Sequence, residues 1–233
     1  VLYQIKRKLM NKGTLNTDTL ADYKRRLEQR EAELTVINSV QEGLANNMEM
    51  QQIYEQVGEK IRKVFDAQAI TIATIDTDSK REEFQYGYED GKRIYPDTRP
   101  IDKLREQIID HREHILINEN FAECIEEITG NKAIAVPETE LPKSALYVPM
   151  IMDGKVQGFI SLQNIDREHA FGDSDVRLLS AISNSLTVSL QNAHLFNETE
   201  QRNAELAVIN SVQEGLVAEM DMQGIYNLVG ERI

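Results

Sequence analysis

Apolar residues along this chain change their period several times, and each change marks an element. The positions Leu20, Tyr23, Leu27, Arg30, Leu34, Ile37, Gln41 and Leu44 recur in steps of three and four, the seam of a helix that pairs with a second helix. Arg30 and Gln41 interrupt it, and polar seam residues weaken a coiled coil while fixing its register. The alternative is an amphipathic helix lying on its own domain. A second helix is expected at about 49–65, with Met50, Ile53, Val57, Ile61 and Val64 on one face. Residues 69–75 are then apolar on both faces, as a central strand requires. Phe84, Tyr86 and Tyr88 alternate with Glu83, Gln85 and Gly87, which predicts a strand with one aromatic face. Asp90-Gly91 marks a turn, and an irregular segment runs to Ile101.

Short helices are expected around Ile101, Leu104 and Ile108 and over 121–129, with a strand at 114–118 between them. Residues 130–143 read as a long irregular stretch. Strands at 144–152 and 156–163 flank Asp153-Gly154, the strongest hairpin signal in the chain. Asp173, Ser174 and Asp175 then cap a helix with Leu179, Ile182, Leu186 and Phe196 facing inward. This order predicts an α+β layer, one antiparallel sheet with helices packed on it.

An internal repeat sets the domain boundaries. Residues 29–61 recur at 201–233, an offset of 172 residues with about two-thirds of positions identical. Both copies contain Val-Ile-Asn-Ser-Val-Gln-Glu-Gly-Leu, at 36–44 and 208–216, and both reach Ile-Tyr and Val-Gly-Glu. The expected organisation is a helical linker or coiled coil over 1–45, a sensor domain over 46–197, and over 198–233 a connector helix with the opening of a second unit. The chain also begins within a helical pattern, so a longer parent protein with tandem domains is expected.

Composition narrows the function. A formal net charge of −13 repels phosphate backbones and anionic lipid, which argues against nucleic-acid and direct membrane binding. No apolar run approaches the roughly 20 residues of a membrane span. The lone cysteine, Cys124, fits a reducing, cytoplasmic compartment. It shares a helical face with Phe121, Ile125 and Ile128, which reads as a small packed residue rather than a reactive thiol. His111 and His114 lack a cysteine cluster to complete a zinc site. Phosphate-loop glycine spacings are missing, as is any arrangement of nucleophile, base and orienter, so no catalytic residues and no metal are expected.

The hairpin carries a family resemblance. Ser144-Ala-Leu-Tyr-Val-Pro-Met, Asp153-Gly154-Lys155 and Val156-Gln-Gly-Phe-Ile-Ser-Leu-Gln-Asn164, followed by Phe171, Asp173 and Asp175, resemble the signature region of GAF domains in bacterial tandem-GAF signalling proteins of histidine kinase or nucleotide cyclase type. The resemblance implies a sheet with helices on both faces, a dimerising helical layer on one and a ligand pocket on the other, flanked by long signalling helices. Asn164, Phe171 and Asp175 match the motif of cyclic-nucleotide-binding members, but Ile165 and Val176 stand at its Lys and final Glu, so that motif's ion pair is missing. Bilin-binding members use a Cys followed by His, whereas Ile125 follows Cys124. The sulfoxide reductases of this fold need several cysteines.

The candidate ligand site is Tyr86, Tyr88 and Tyr95 with Arg93 and Arg99, offering stacking surfaces and cationic donors to an anionic small molecule. Lys143 and Ser144 would close it at the end of the long loop. The plainer reading makes the tyrosines half-buried sheet residues and the arginines surface charge. The expected function is a regulatory sensor that relays binding through dimeric helices to an output domain in the same polypeptide. Two copies would pair through Leu20, Tyr23, Leu27, Leu34, Ile37, Leu44 and the last helix. The alternative is a ligand-free dimerisation spacer.

Overall fold

The computed structural model describes residues 50–133 and 140–230. The heptad seam of residues 20–44 and part of the 130–143 loop lie outside the described residues. Two compact units are distinguished, one closing at Leu190 and the other beginning at Gln191.

The first unit opens with helix α1 (Met50–Val64), whose apolar face buries Ile53, Tyr54, Val57 and Ile61. Seven strands follow, β1 (Ala69–Asp76), β2 (Arg81–Glu89), β3 (Lys92–Arg93), β4 (Arg99–Pro100), β5 (Ile115–Ile117), β6 (Ser144–Met152) and β7 (Lys155–Asn164). They form one sheet in the order β3-β2-β1-β7-β6-β5, with β4 paired to β2 and every pairing antiparallel. Helices α2 (Lys103–His111) and α3 (Phe121–Thr129) lie between β4 and β6 in the chain, and α4 (Asp173–Gly230) follows β7. Asp153 and Gly154 take φ values of 50° and 73°, the doubly left-handed turn that matches the twist of a two-residue hairpin.

A bulge in β2 decides what each face of the sheet presents. Ile72 pairs with Tyr86 and Ala73 with Phe84, so Gln85 has no partner across the ladder. One extra residue reverses the alternation. Glu82 and Phe84 therefore point to one face while Tyr86 and Tyr88 point to the other. The single aromatic face expected from the sequence does not form.

On the first face Ile70, Ile72, Ile160 and Leu162 are fully buried, and the Tyr86 ring lies directly over Gly58 of α1. Leu178, Leu179, Ile182 and Leu186 of α4 are buried too, and Ser183 donates to the Pro149 carbonyl of β6 at 2.7 Å. On the second face Ala73, Ile75, Tyr147 and Phe159 pack with Leu104 and Ile108 of α2, joined by Phe121, Ile125 and Ile128 of α3. Cys124 is half-buried.

The motif residues beyond β7 act as anchors. Asn164, 1% exposed, donates to the Asp66 carbonyl and accepts from the Asp166 and Arg167 amides, each at 3.0 Å. Asp175 reaches back to accept from the Gly172 amide at 2.8 Å, satisfying one of the donors a helix start leaves free. Phe171 is buried.

The second unit consists of helical residues from Gln191. Phe196, expected inward, is exposed there together with Leu195, Leu206 and Ile209. Among the described residues no helix is long and apolar enough to cross a membrane.

Buried phenols give the first unit a pH signature. Burial, helped by the charge of Glu83, pushes the Tyr54 hydroxyl up to about 12, and burial also raises Tyr86 and Tyr147. A raised folded value means the fold holds the proton more tightly than the unfolded chain. Stability is then full below the unfolded phenol value near 10 and is lost as pH climbs through 12. Urea titrations should show falling stability above about pH 10, with Tyr54, Tyr86 and Tyr147, each identified by the absorbance its Tyr→Phe variant loses, ionising together with unfolding. Ionisation of these three well before unfolding would contradict this.

Candidate functional site

The second face is not filled solid. A cavity of about 460 Å³ opens there, within the roughly 300–1,000 Å³ usual for small-molecule sites. Its floor is polar. Thr71 of β1 pairs directly with Ser161 of β7, and their hydroxyls lie 2.5 Å apart. Gln163, two residues along β7, sits on the same side, beside the buried Tyr147 of β6. Phe84 and Phe121 supply aromatic walls, and Tyr95, 81% exposed, stands at the mouth.

One wall is a charge network. Glu82 is 1% exposed and accepts from Arg99 Nε and from Arg105 Nε, the latter at 3.2 Å. Arg105 Nη1 also donates to Asp102 Oδ2 at 2.9 Å. Asp102 in turn caps α2 by accepting from the Arg105 amide at 2.9 Å. The Arg105 guanidinium lies 5.1 Å from the Phe159 ring centre and 5.5 Å from that of Tyr147. Burial alone would weaken its charge, but the neighbouring Tyr147 hydroxyl and the carboxylates of Glu82 and Asp102 reverse this and hold its pKa above the ordinary arginine value. A neighbouring cavity of about 600 Å³ between α2 and α3 shares Arg105, Phe121, Leu141 and Tyr147 with the first.

The seven candidate residues divide between the two faces. Tyr95 and Arg99 line the cavity. Tyr86 and Tyr88 do not, because the bulge turns them toward α1. The Tyr86 hydroxyl donates to Glu59 at 3.0 Å, and the Arg62 guanidinium lies 5.0 Å from the Tyr88 ring centre. Arg93 is held by Glu55 and the Gly87 carbonyl, over the Tyr86 ring at 3.9 Å. Lys143 is exposed and donates to the Asp166 carbonyl at 3.0 Å. Ser144 is buried, donates to the Arg167 carbonyl at 3.0 Å and accepts from the Ala170 amide at 3.2 Å. These two residues tie down the segment after β7.

Sequence reasoning missed Thr71, Ser161, Gln163, Tyr147, Glu82 and Arg105. A signal existed for the first two, since each is a hydroxyl residue set between apolar ones in its strand, Ile70 and Ile72 for Thr71 and Ile160 and Leu162 for Ser161.

The family model for the GAF domain matches residues 47–191. No curated protein sequence matches the chain. Among solved structures, the GAF domain of an Acinetobacter phosphoenolpyruvate-protein phosphotransferase is 13% identical with a TM-score of 0.53, over 71% of this chain and 97% of that one. A free methionine-R-sulfoxide reductase from Neisseria meningitidis, in complex with its substrate, is 13% identical with a TM-score of 0.55, over 72% and 90%. A phycocyanobilin-bound GAF domain from a cyanobacterial phytochrome is 11% identical with a TM-score of 0.56, over 70% and 96%. At these identities the likeness is one of fold.

Proposed function

This chain belongs to the GAF domain family, and we propose that it works as a ligand-responsive sensor. A small molecule enters the cavity on the α2–α3 side, and the change is relayed along α4 to an output domain farther along the parent polypeptide, of histidine kinase or nucleotide cyclase type. The observation that carries this reading is the polar floor. Ser161 is buried and Thr71 and Gln163 half-buried on the two central strands, and beyond the bond between the two hydroxyls they keep hydrogen-bonding capacity on the side that lines the cavity. The phytochrome relative holds phycocyanobilin, which supports a small-molecule role for such a fold.

In this reading residues 46–197 form the sensor, 1–45 the linker and 198–233 the connector with the start of a second repeat. Two copies pair through Leu20, Tyr23, Leu27, Leu34, Ile37 and Leu44. Leu195, Leu206 and Ile209, each at least 51% exposed on α4, stand 172 residues after Tyr23, Leu34 and Ile37 and continue the seam. Helical phase is what such a rod transmits, so it gives the test. In the intact parent protein, one residue inserted within 197–203 should disrupt output. Seven, a full heptad, should largely preserve it. Equal effects would count against the relay. A thermal-shift screen with nucleotides, haem, bilins and amino-acid metabolites tests binding itself, since a ligand stabilises the native state by its concentration over its affinity. Silence throughout would favour the spacer.

A further inference from the structure

We propose that the cavity selects a planar, hydrogen-bonding heterocycle without negative charge, such as a neutral nucleobase or pterin; this rests on the sensor reading above. Charge is the first argument. The cations lining the cavity are Arg99 and Arg105, and both are already committed. Glu82 takes the Nε of each, and Asp102 takes a second nitrogen of Arg105. Two further carboxylates, Glu89 and Glu140, line the same cavity, so its described residues and their partners sum to a negative charge. A phosphate or carboxylate entering here would meet arginines whose charge Glu82, 1% exposed, and Asp102 already offset, and would add its own negative charge beside Glu89 and Glu140. The free arginines expected from the sequence, Arg93 among them, are not free.

Shape and hydrogen bonding are the second argument. Thr71 and Ser161 share one hydrogen bond, which leaves the pair with one spare donor and spare acceptor lone pairs. Gln163, whose amide already donates to Tyr147, adds its carbonyl acceptor and its second N–H about 7 Å along the strand. Tyr147 remains a neutral phenol, since burial raises its pKa. Donors and acceptors from three neighbouring strands thus stand on one face of the sheet, and the ring N–H and carbonyl groups of a lactam or amidine can meet them. Phe84 and Phe121 provide faces against which such a ring stacks.

The test titrates the full chain, by calorimetry, with guanine, hypoxanthine, adenosine and lumazine, and with GMP, IMP and AMP. At least one neutral compound should bind, and its monophosphate about tenfold or more weakly, a difference of 1.4 kcal/mol or more. Thr71→Val with Ser161→Ala should weaken the neutral compound about tenfold while leaving the urea midpoint nearly unchanged. Glu89→Gln with Glu140→Gln should strengthen the monophosphate relative to the neutral compound. A monophosphate binding as tightly as its base would overturn the proposal and leave the sensor reading standing. Failure of every neutral heterocycle to bind would also overturn it, and the sensor reading falls only if the wider thermal-shift screen is silent as well.

Discussion

Arg105→Leu is expected to lower stability by about 3–5 kcal/mol, measured by urea denaturation. The size follows from what the substitution leaves behind rather than from the contacts it removes. Glu82 is 1% exposed and Arg105 9%, so the glutamate would keep only Arg99, whose side chain is 48% exposed and able to swing into water. The opposite change, Glu82→Leu, should cost a similar amount by stranding the arginine. Glu82→Leu combined with Arg105→Leu should recover most of either loss, because the desolvation cost disappears with the pair. Asp102 would still cap α2 through the backbone amide at position 105. A double variant as unstable as the sum of the single ones would mean that the two side chains act independently, with no coupling between them, and the cycle separates the two cases. Arg99→Gln should cost much less, since Glu82 then keeps its buried partner.

That network also marks where the sequence was legible and where it was not. Local signals read well. Residues 69–75, apolar on both faces, become the central strand β1, and Asp153-Gly154 becomes the tight turn of β6–β7, because each depends on neighbours within a few positions. The α+β arrangement and the family followed from the hairpin. The site was harder because it depends on which face a side chain takes. Strict alternation puts Phe84, Tyr86 and Tyr88 together, and the unpaired Gln85 undoes that; a bulge has no reliable local signature when neither flanking residue is glycine. Arg93 and Arg99 looked available for an anion because their partners are far off in sequence. Glu55 lies 38 residues before Arg93, and Glu82 lies 17 before Arg99. Of the residues named from the sequence, Tyr95 and Arg99, which follow β2 in the chain, line the cavity.

The same sheet register makes Gly158→Ala the most damaging single methyl group expected here, at about 3 kcal/mol or more. A Cβ on Gly158 would stand 2.1 Å from the Ala73 carbonyl oxygen and 3.0 Å from the Thr74 Cα, besides 2.5 Å from the end of the Met150 side chain. Methionine can bend away, but the first two contacts are backbone of the central strand. Gly58 offers the comparison. A Cβ there would meet the Tyr86 ring at 2.4 Å, a close contact with a side chain that can tilt if α1 shifts outward. Gly58→Ala should therefore cost less, about 1–3 kcal/mol, and should weaken mainly the α1 side. Relief at Gly158 requires β1 and β7 to part. Thr74 pairs with Gly158 in the same ladder that sets Thr71 opposite Ser161, so whatever fraction of Gly158→Ala folds should also lose the hydroxyl pair and with it ligand binding. Gly58→Ala, folded to the same extent, should keep its affinity; equal affinities for the two folded variants would show that the floor of the cavity does not depend on that register.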